Sequence, residues 1–270
     1  MTTLCDLALE VLKTADAAKK AALSRRAAEA WRVDPLMPVG TPSGIPDRPA
    51  RPPRPELISP TEMPRRRGQS AEARATLLHA VLHIELNAID LAWDMIARFT
   101  EEKFPRAFYD DWVRVADEEG KHFGLLSDRV EQLGYCYGDF PAHDGLWEAA
   151  FTTRNDVSAR LAVVPMVLEA RGLDVTPGMI KRFAKIGDME SADILQIILE
   201  EEIGHVATGN RWFQFMCRKT NLDPKEYWQK TVRKNFKGLL KPPFNEEARQ
   251  QADMPSEYYI PLSFKENIKP

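Results

Sequence analysis

The chain has 270 residues, 44% of them hydrophobic and 29% charged, with a net charge of −3. That balance excludes a wholly disordered chain and leaves apolar material for a sizeable core in one or two domains. The small net charge supplies no global field toward nucleic acid or an anionic membrane, and no apolar run approaches the ~20 residues that span a bilayer.

Residues 3–31 are rich in Ala, Leu, Lys and Glu and predict one amphipathic helix, which makes residues 1–33 an N-terminal helical segment. Acidic residues fall early in it and no continuous apolar stretch follows, so it is a poor secretory signal. Cys5, Cys136 and Cys217 fit neither a disulfide framework nor a Cys-x-x-Cys knuckle. A reducing cytoplasm is the simplest expectation, with no membrane partner.

Ten of the 20 prolines lie between Pro35 and Pro64, interleaved with Arg48, Arg51 and Arg54 and followed by Arg65, Arg66 and Arg67. Proline locks φ and removes a backbone donor, so residues 34–69 predict an extended arm rather than a helix or a central strand. The triple arginine reads as a solvated linker end in preference to a phosphate contact.

From Ser70 onward the pattern is helical, and residues 70–238 predict a four-helix bundle. The first helix starts after Ser70, a good N-cap, with Leu78, Leu82, Glu85, Ile89, Ala92 and Ile96 inward. The second starts at Pro105, carries Phe108, Trp112, Val115, Glu119, His122 and Leu126, and stops at Gly134. The third begins at Asn155–Asp156, carries Leu161, Met166, Leu168 and Glu169, is kinked by Pro165 and ends near Gly172. The fourth begins at Asp188 and carries Leu195, Ile198, Glu202, His205, Trp212 and Phe213. Between the pairs, Tyr135–Arg154 reads as one long crossover with a short helix in DGLWEAAF. Residues 239–270, punctuated by five prolines, read as an irregular strap.

Each stripe places a carboxylate, sometimes with a histidine, where an apolar residue is expected. Two Glu-x-x-His motifs stand out, Glu119–His122 and Glu202–His205, and residues three apart share a helix face. Glu85 precedes the first by 34 positions and Glu169 precedes the second by 33, a weak internal duplication. Glu85 to Phe99 and Pro105 to Glu119 each span 14 residues, roughly 21 Å of helix at 1.5 Å per residue, so these two carboxylates meet at one level. The second pair is less regular, because Gly172 and Pro177 interrupt it.

Four buried carboxylates are unfavourable together unless protonated or neutralised by cations. Two metal ions resolve the conflict, and carboxylate plus imidazole suits iron, with manganese as the alternative. Four Glu and two His in this order are the ligand set of carboxylate-bridged di-iron and di-manganese bundles.

The order Glu, Glu-x-x-His, Glu, Glu-x-x-His resembles the ferritin-like di-metal superfamily. The segments HIELNAIDLAWD, DEEGKHF, AHDGLWE, LEARGLDVTP and EEIGHVATGNRWF resemble the ferritin-like family known as domain of unknown function 455. That resemblance covers most of residues 70–217. It implies an all-α, ferritin-like four-helix bundle with Glu85, Glu119, His122, Glu169, Glu202 and His205 as ligands. It further implies supporting acids one residue earlier, with Glu118 pairing His205 and Glu201 pairing His122. A bacterial tRNA-hydroxylating family of similar size shares the ligand order and is the most useful functional analogue.

The bland reading holds for the remaining candidates. His79 reads as a surface or capping histidine, and His83 turns away from the face of Glu85. His143 with Asp144 reads as a cap for the crossover helix. Tyr109, Tyr135, Tyr137, Trp112, Trp212 and Phe213 read as packing.

The favoured function is an oxygen-activating oxidase or monooxygenase with two irons, using dioxygen or peroxide. No dinucleotide-binding glycine motif or Cys₄ iron site is present in the sequence, so an external ferredoxin or reductase would supply electrons. The alternatives are non-enzymatic iron sequestration and manganese-dependent peroxide disproportionation. An RNA substrate and a homodimer wrapped by the arm are weaker expectations.

Overall fold

The computed structural model describes residues 2–64 and 68–264. Its secondary structure is helical throughout, and among the described residues only a lone bridge between Leu57 and Ala142 is strand-like. The all-α expectation therefore holds. The helices fall into two compact units, one up to Phe151 and one from Thr152.

The first unit opens with two helices where the composition predicts one. Helix α1 (Leu4–Lys13) begins in a reciprocal cap between Thr3 and Asp6. Thr14 then turns extended, and Asp16 caps a new helix, α2 (Ala17–Val33), by accepting from Lys19 N at 2.8 Å. An Asp three positions before a free N–H competes with helix continuation, which average propensity misses.

The main hairpin is α3 (Ala71–Arg98) and α4 (Arg106–Gln132). Ser70 caps α3 by accepting from Ala73 N at 3.2 Å. A 3₁₀ turn at Thr100–Glu102 and a left-handed Lys103 reverse the chain, and Pro105 stands directly before α4. Both helices pack on α2 or α1. Contact with α2 is close at Gly120, where a Cβ would lie 2.8 Å from Arg25 Cγ and 3.0 Å from the Ala21 carbonyl oxygen. Helix α3 has the length and composition to cross a membrane, and most of its apolar window is buried within the protein.

The described part of the proline-rich segment is extended, and backbone bonds fasten it to the first unit as far as Ile58. Leu4 N and Cys5 N, two donors left over at the start of α1, reach the Pro38 and Val39 carbonyls at 3.0 and 2.9 Å. Ala50 N donates to Leu12 O, and Ile58 N donates to Ala142 O. Arg65, Arg66 and Arg67, the candidate phosphate contact, lie outside the described residues. Short helix α5 (Gly145–Thr152) occupies the crossover, as DGLWEAAF suggests.

In the second unit, Asp156 caps α6 (Val157–Val163). Pro165 lacks the N–H that an α-helix would use, and Val164–Glu169 winds as π-helix. Ala170 N donates to Pro165 O, five residues back. The chain then continues as α7 (Ala170–Lys185) straight through Gly172 and Pro177, not ending near Gly172 as expected. Asn245 explains the tolerance of Pro177. The carbonyl of Leu173, four residues before Pro177, accepts from Asn245 Nδ2 at 3.1 Å instead. Asp188 caps α8 (Met189–Thr220), and α9 (Pro224–Asn235) follows. The C-terminal segment is more regular than the expected strap, with α10 (Glu246–Gln251) and α11 (Ser256–Tyr259). Arg249 of α10 anchors it to α7 through Asp174, at 2.8 and 2.7 Å.

Candidate metal centre

In the first unit the hairpin does what its equal arms predict. Glu85 of α3 and Glu119 and His122 of α4 meet in the interior, 2%, 0% and 0% exposed. His122 Nδ1 lies 3.1 Å from Glu85 Oε2 and 3.5 Å from Glu119 Oε2. One ligand atom from each of the three lies within 4.8 Å of the others. Burial pushes the Glu85 carboxyl well above its usual range, and the charge of Glu119 pushes it further, against the pull of His122. A cation placed among these atoms would offset both effects by stabilising the carboxylates. The three residues form a buried carboxylate–imidazole cluster that can hold a metal ion.

Local packing fixes this register. Ser24 Oγ of α2 donates to Ala116 O at 2.7 Å and accepts from Trp93 Nε1 at 2.7 Å, which ties α2, α3 and α4 together beside Glu119. One turn beyond Glu85, a buried ionic knot holds α3. Asp90 lies 2.5 Å from Lys20 Nζ and 3.0 Å from Arg51 of the arm, and Arg51 also donates to Asn87 Oδ1 at 2.8 Å. Sequence reasoning missed this knot. Its signal was present, since Asp90 and Asp94 stand one turn apart within the largely apolar second half of the helix.

In the second unit, Glu202 and His205 share one face of α8, with Glu202 Oε1 3.6 Å from His205 Nδ1. Both are buried, and Glu169, the last residue of the π stretch, is half-buried. The π stretch and α8 pack together with almost no clearance. A Cβ on Gly209, one turn past His205, would lie 2.4 Å from Pro165 Cβ. Glu118 and Glu201 are half-buried, and Glu118 accepts from Arg114 at 3.0 Å.

His83 does turn from the cluster, with Nδ1 2.9 Å from the Tyr137 hydroxyl. His79 is no surface residue. It is fully buried, accepts from Gly138 N at 2.8 Å and stacks on Tyr137, so it is a cap for the crossover turn. His143 Nδ1 accepts from Gly145 N at 3.3 Å at the start of α5, as its capping role predicts. Tyr109, Trp112, Trp212 and Phe213 are core residues, and Tyr135 and Tyr137 are half-buried ring contacts.

The family profile described as "protein of unknown function (DUF455)" matches residues 13–260. The chain belongs to DUF455. An uncharacterized protein of Haemophilus influenzae is 43% identical over 208 residues, which is 75% of this chain and 72% of the relative. No solved structure matches the chain. The DUF455 match spans all six candidate ligands, both π-helical and α-helical parts of the second unit, and the arm from its first proline onward. It extends well past residue 217, into α9, α10 and α11.

Proposed function

We propose that this protein is a ferritin-like carboxylate protein with a dinuclear metal centre. Glu85, Glu119, His122, Glu169, Glu202 and His205 would be its ligands. The observation that carries this reading is the convergence of two carboxylates and an imidazole, all buried, in the first unit. The repeated residue order in the second half supports a matching contribution there. Glu118 and Glu201 would be supporting acids for the ligand histidines, because metal-bound imidazoles donate their other N–H to a carboxylate.

The donor set fits iron, and manganese second. Bound there, such a pair would supply activation of dioxygen or peroxide for an oxidase or monooxygenase reaction. The chain's own residues set the conditions for it. Glu85, Glu119 and Glu202 present carboxylate oxygens in a dry interior, where charge interactions are strong. His122 and His205 are each fixed beside a glutamate one turn away. Electrons would come from a separate ferredoxin or reductase.

The test is elemental analysis with an optical spectrum after anaerobic reconstitution. Two irons per chain with an oxo-bridge absorption band after air exposure is the expected result. Glu119→Gln and His122→Ala should each lower bound metal at least about tenfold in affinity. No uptake of any transition ion would sink the reading. Manganese with brisk peroxide disproportionation, or iron in a large hollow assembly, would replace the oxidase with the corresponding alternative.

A further inference from the structure

A cavity of about 320 Å³ lies in the second unit between the π stretch and the chain that follows α9. Val167, Leu168, Phe236 and Phe244 supply its apolar wall. Four cations line it, Arg171, Lys237, Lys241 and Arg249, against the single acid Asp174. That excess of positive charge stands out in a chain with net charge −3.

The cations differ in depth and in what they already bind. Lys237 and Lys241 are exposed, whereas Arg249 is 2% exposed. Arg171 is committed to the Lys241 and Pro243 carbonyls, at 2.6 and 3.1 Å, which holds the rim in place. Asp174 accepts from Nε and Nη2 of Arg249 and so covers one edge of the guanidinium. The remaining nitrogen, Nη1, is buried and has no hydrogen-bond acceptor among the described residues. The Arg249 plane lies over the Tyr259 and Phe244 rings, at 4.5 and 5.2 Å, so it cannot swing out without losing both. A fixed guanidinium with an open donor is suited to a planar or tetrahedral oxyanion.

We propose that this cavity binds a small organic anion, a carboxylate or phosphate monoester with an apolar body. The head group would accept from Arg249 Nη1, with Lys237 and Lys241 adding charge at the mouth, and the body would lie against Phe236 and Phe244. The volume falls at the small end of the range for ligand sites. The site lies within the second unit and needs no metal, so it stands or falls separately from the dinuclear centre.

The test is calorimetric titration of the full chain, without added metal, using phenylacetate, phenyl phosphate, inorganic phosphate and benzyl alcohol. At least one aryl anion should bind saturably, about tenfold or more tighter than benzyl alcohol and inorganic phosphate, and more weakly as salt rises. The tighter of the two aryl anions identifies the head group. The double variant Lys237→Glu/Lys241→Glu changes exposed residues only, and an unaltered thermal melt would show it folded. It should weaken the aryl anion at least about tenfold, since 1.4 kcal/mol is a factor of ten. Phe236→Ala should weaken the aryl anions and leave inorganic phosphate unchanged. The proposal is overturned if neither aryl anion binds, if benzyl alcohol binds equally well, if the double variant binds like the wild type, or if inorganic phosphate matches phenyl phosphate, which would mean an adventitious ion only.

Discussion

At the scale of single residues, the interior of the first unit is governed by how buried charges are compensated. Lys20 and Asp90 are both fully buried. Burial pushes each toward its neutral form and their mutual attraction opposes this; Arg51 helps hold the Asp90 charge but repels that of Lys20. Removing one partner leaves the other charge stranded, which costs about 3–5 kcal/mol. Asp90→Ala should therefore lower the unfolding free energy, read from urea melts, by that amount, while Lys20→Met with Asp90→Leu together should cost far less. The thiols give a pH prediction. Burial pushes Cys5 and Cys217 up to about 11. Their unfolded values lie near 8.5–9, so above that pH the unfolded chain releases protons that the fold retains. Stability should be full below about pH 8.5 and fall as pH rises toward 11, and replacing both thiols by alanine should flatten the decline. By the same logic, exposed Cys136 should be alkylated long before either buried thiol.

At the scale of helices, the contrast between the two halves explains what could be read from the chain alone. The α3–α4 hairpin is two uninterrupted helices of equal reach around one short turn, so counting residues was enough to place Glu85 opposite Glu119. The third helix defeats counting. Pro165 converts one turn to π geometry, which changes the rotation of everything after it, Glu169 included. Pro177 passes without a break because Asn245, far away in sequence, replaces the missing hydrogen bond. Pro165 marks a kink in the sequence but not its π form, and the bond from Asn245 has no local signature. For His79 the capping reading holds and the surface one does not, because the partner that buries it, Gly138, lies 59 residues away. Gly209 tests the importance of the π stretch. Gly209→Ala should cost about 1–3 kcal/mol through overpacking on the rigid Pro165 ring and should reduce bound metal per chain. Gly124→Ala is the matched control, because nothing lies within 4 Å of its added Cβ. It should stabilise α4 by about 0.5–1 kcal/mol.

At the scale of the whole molecule, the arm is part of the first unit's fold. Its carbonyls complete α1, its Arg51 completes the Asp90 knot, its Pro46 carbonyl accepts from Arg98, and its Arg48 pairs with Asp144. Composition showed that residues 34–69 could not be helical, but it held no sign of where an extended segment would lie. Deleting residues 34–64 should therefore unfold the first unit, read as loss of cooperative melting. That deletion would be a poor probe of RNA binding. Charge reversal at Arg65, Arg66 and Arg67, which leaves those internal contacts intact, is the cleaner variant.

The Asn245–Leu173 bond has a further bearing on how the protein is made. A ribosome delivers the chain from its N-terminus, and domains fold as they emerge. Everything the first unit needs has been synthesised by Phe151, so its ligand cluster can assemble early. The carbonyl beside Pro177 and the carboxylate of Asp174 must wait some 70 residues for Asn245 and Arg249. Until then α7 lacks the two contacts that tie it to the C-terminal segment.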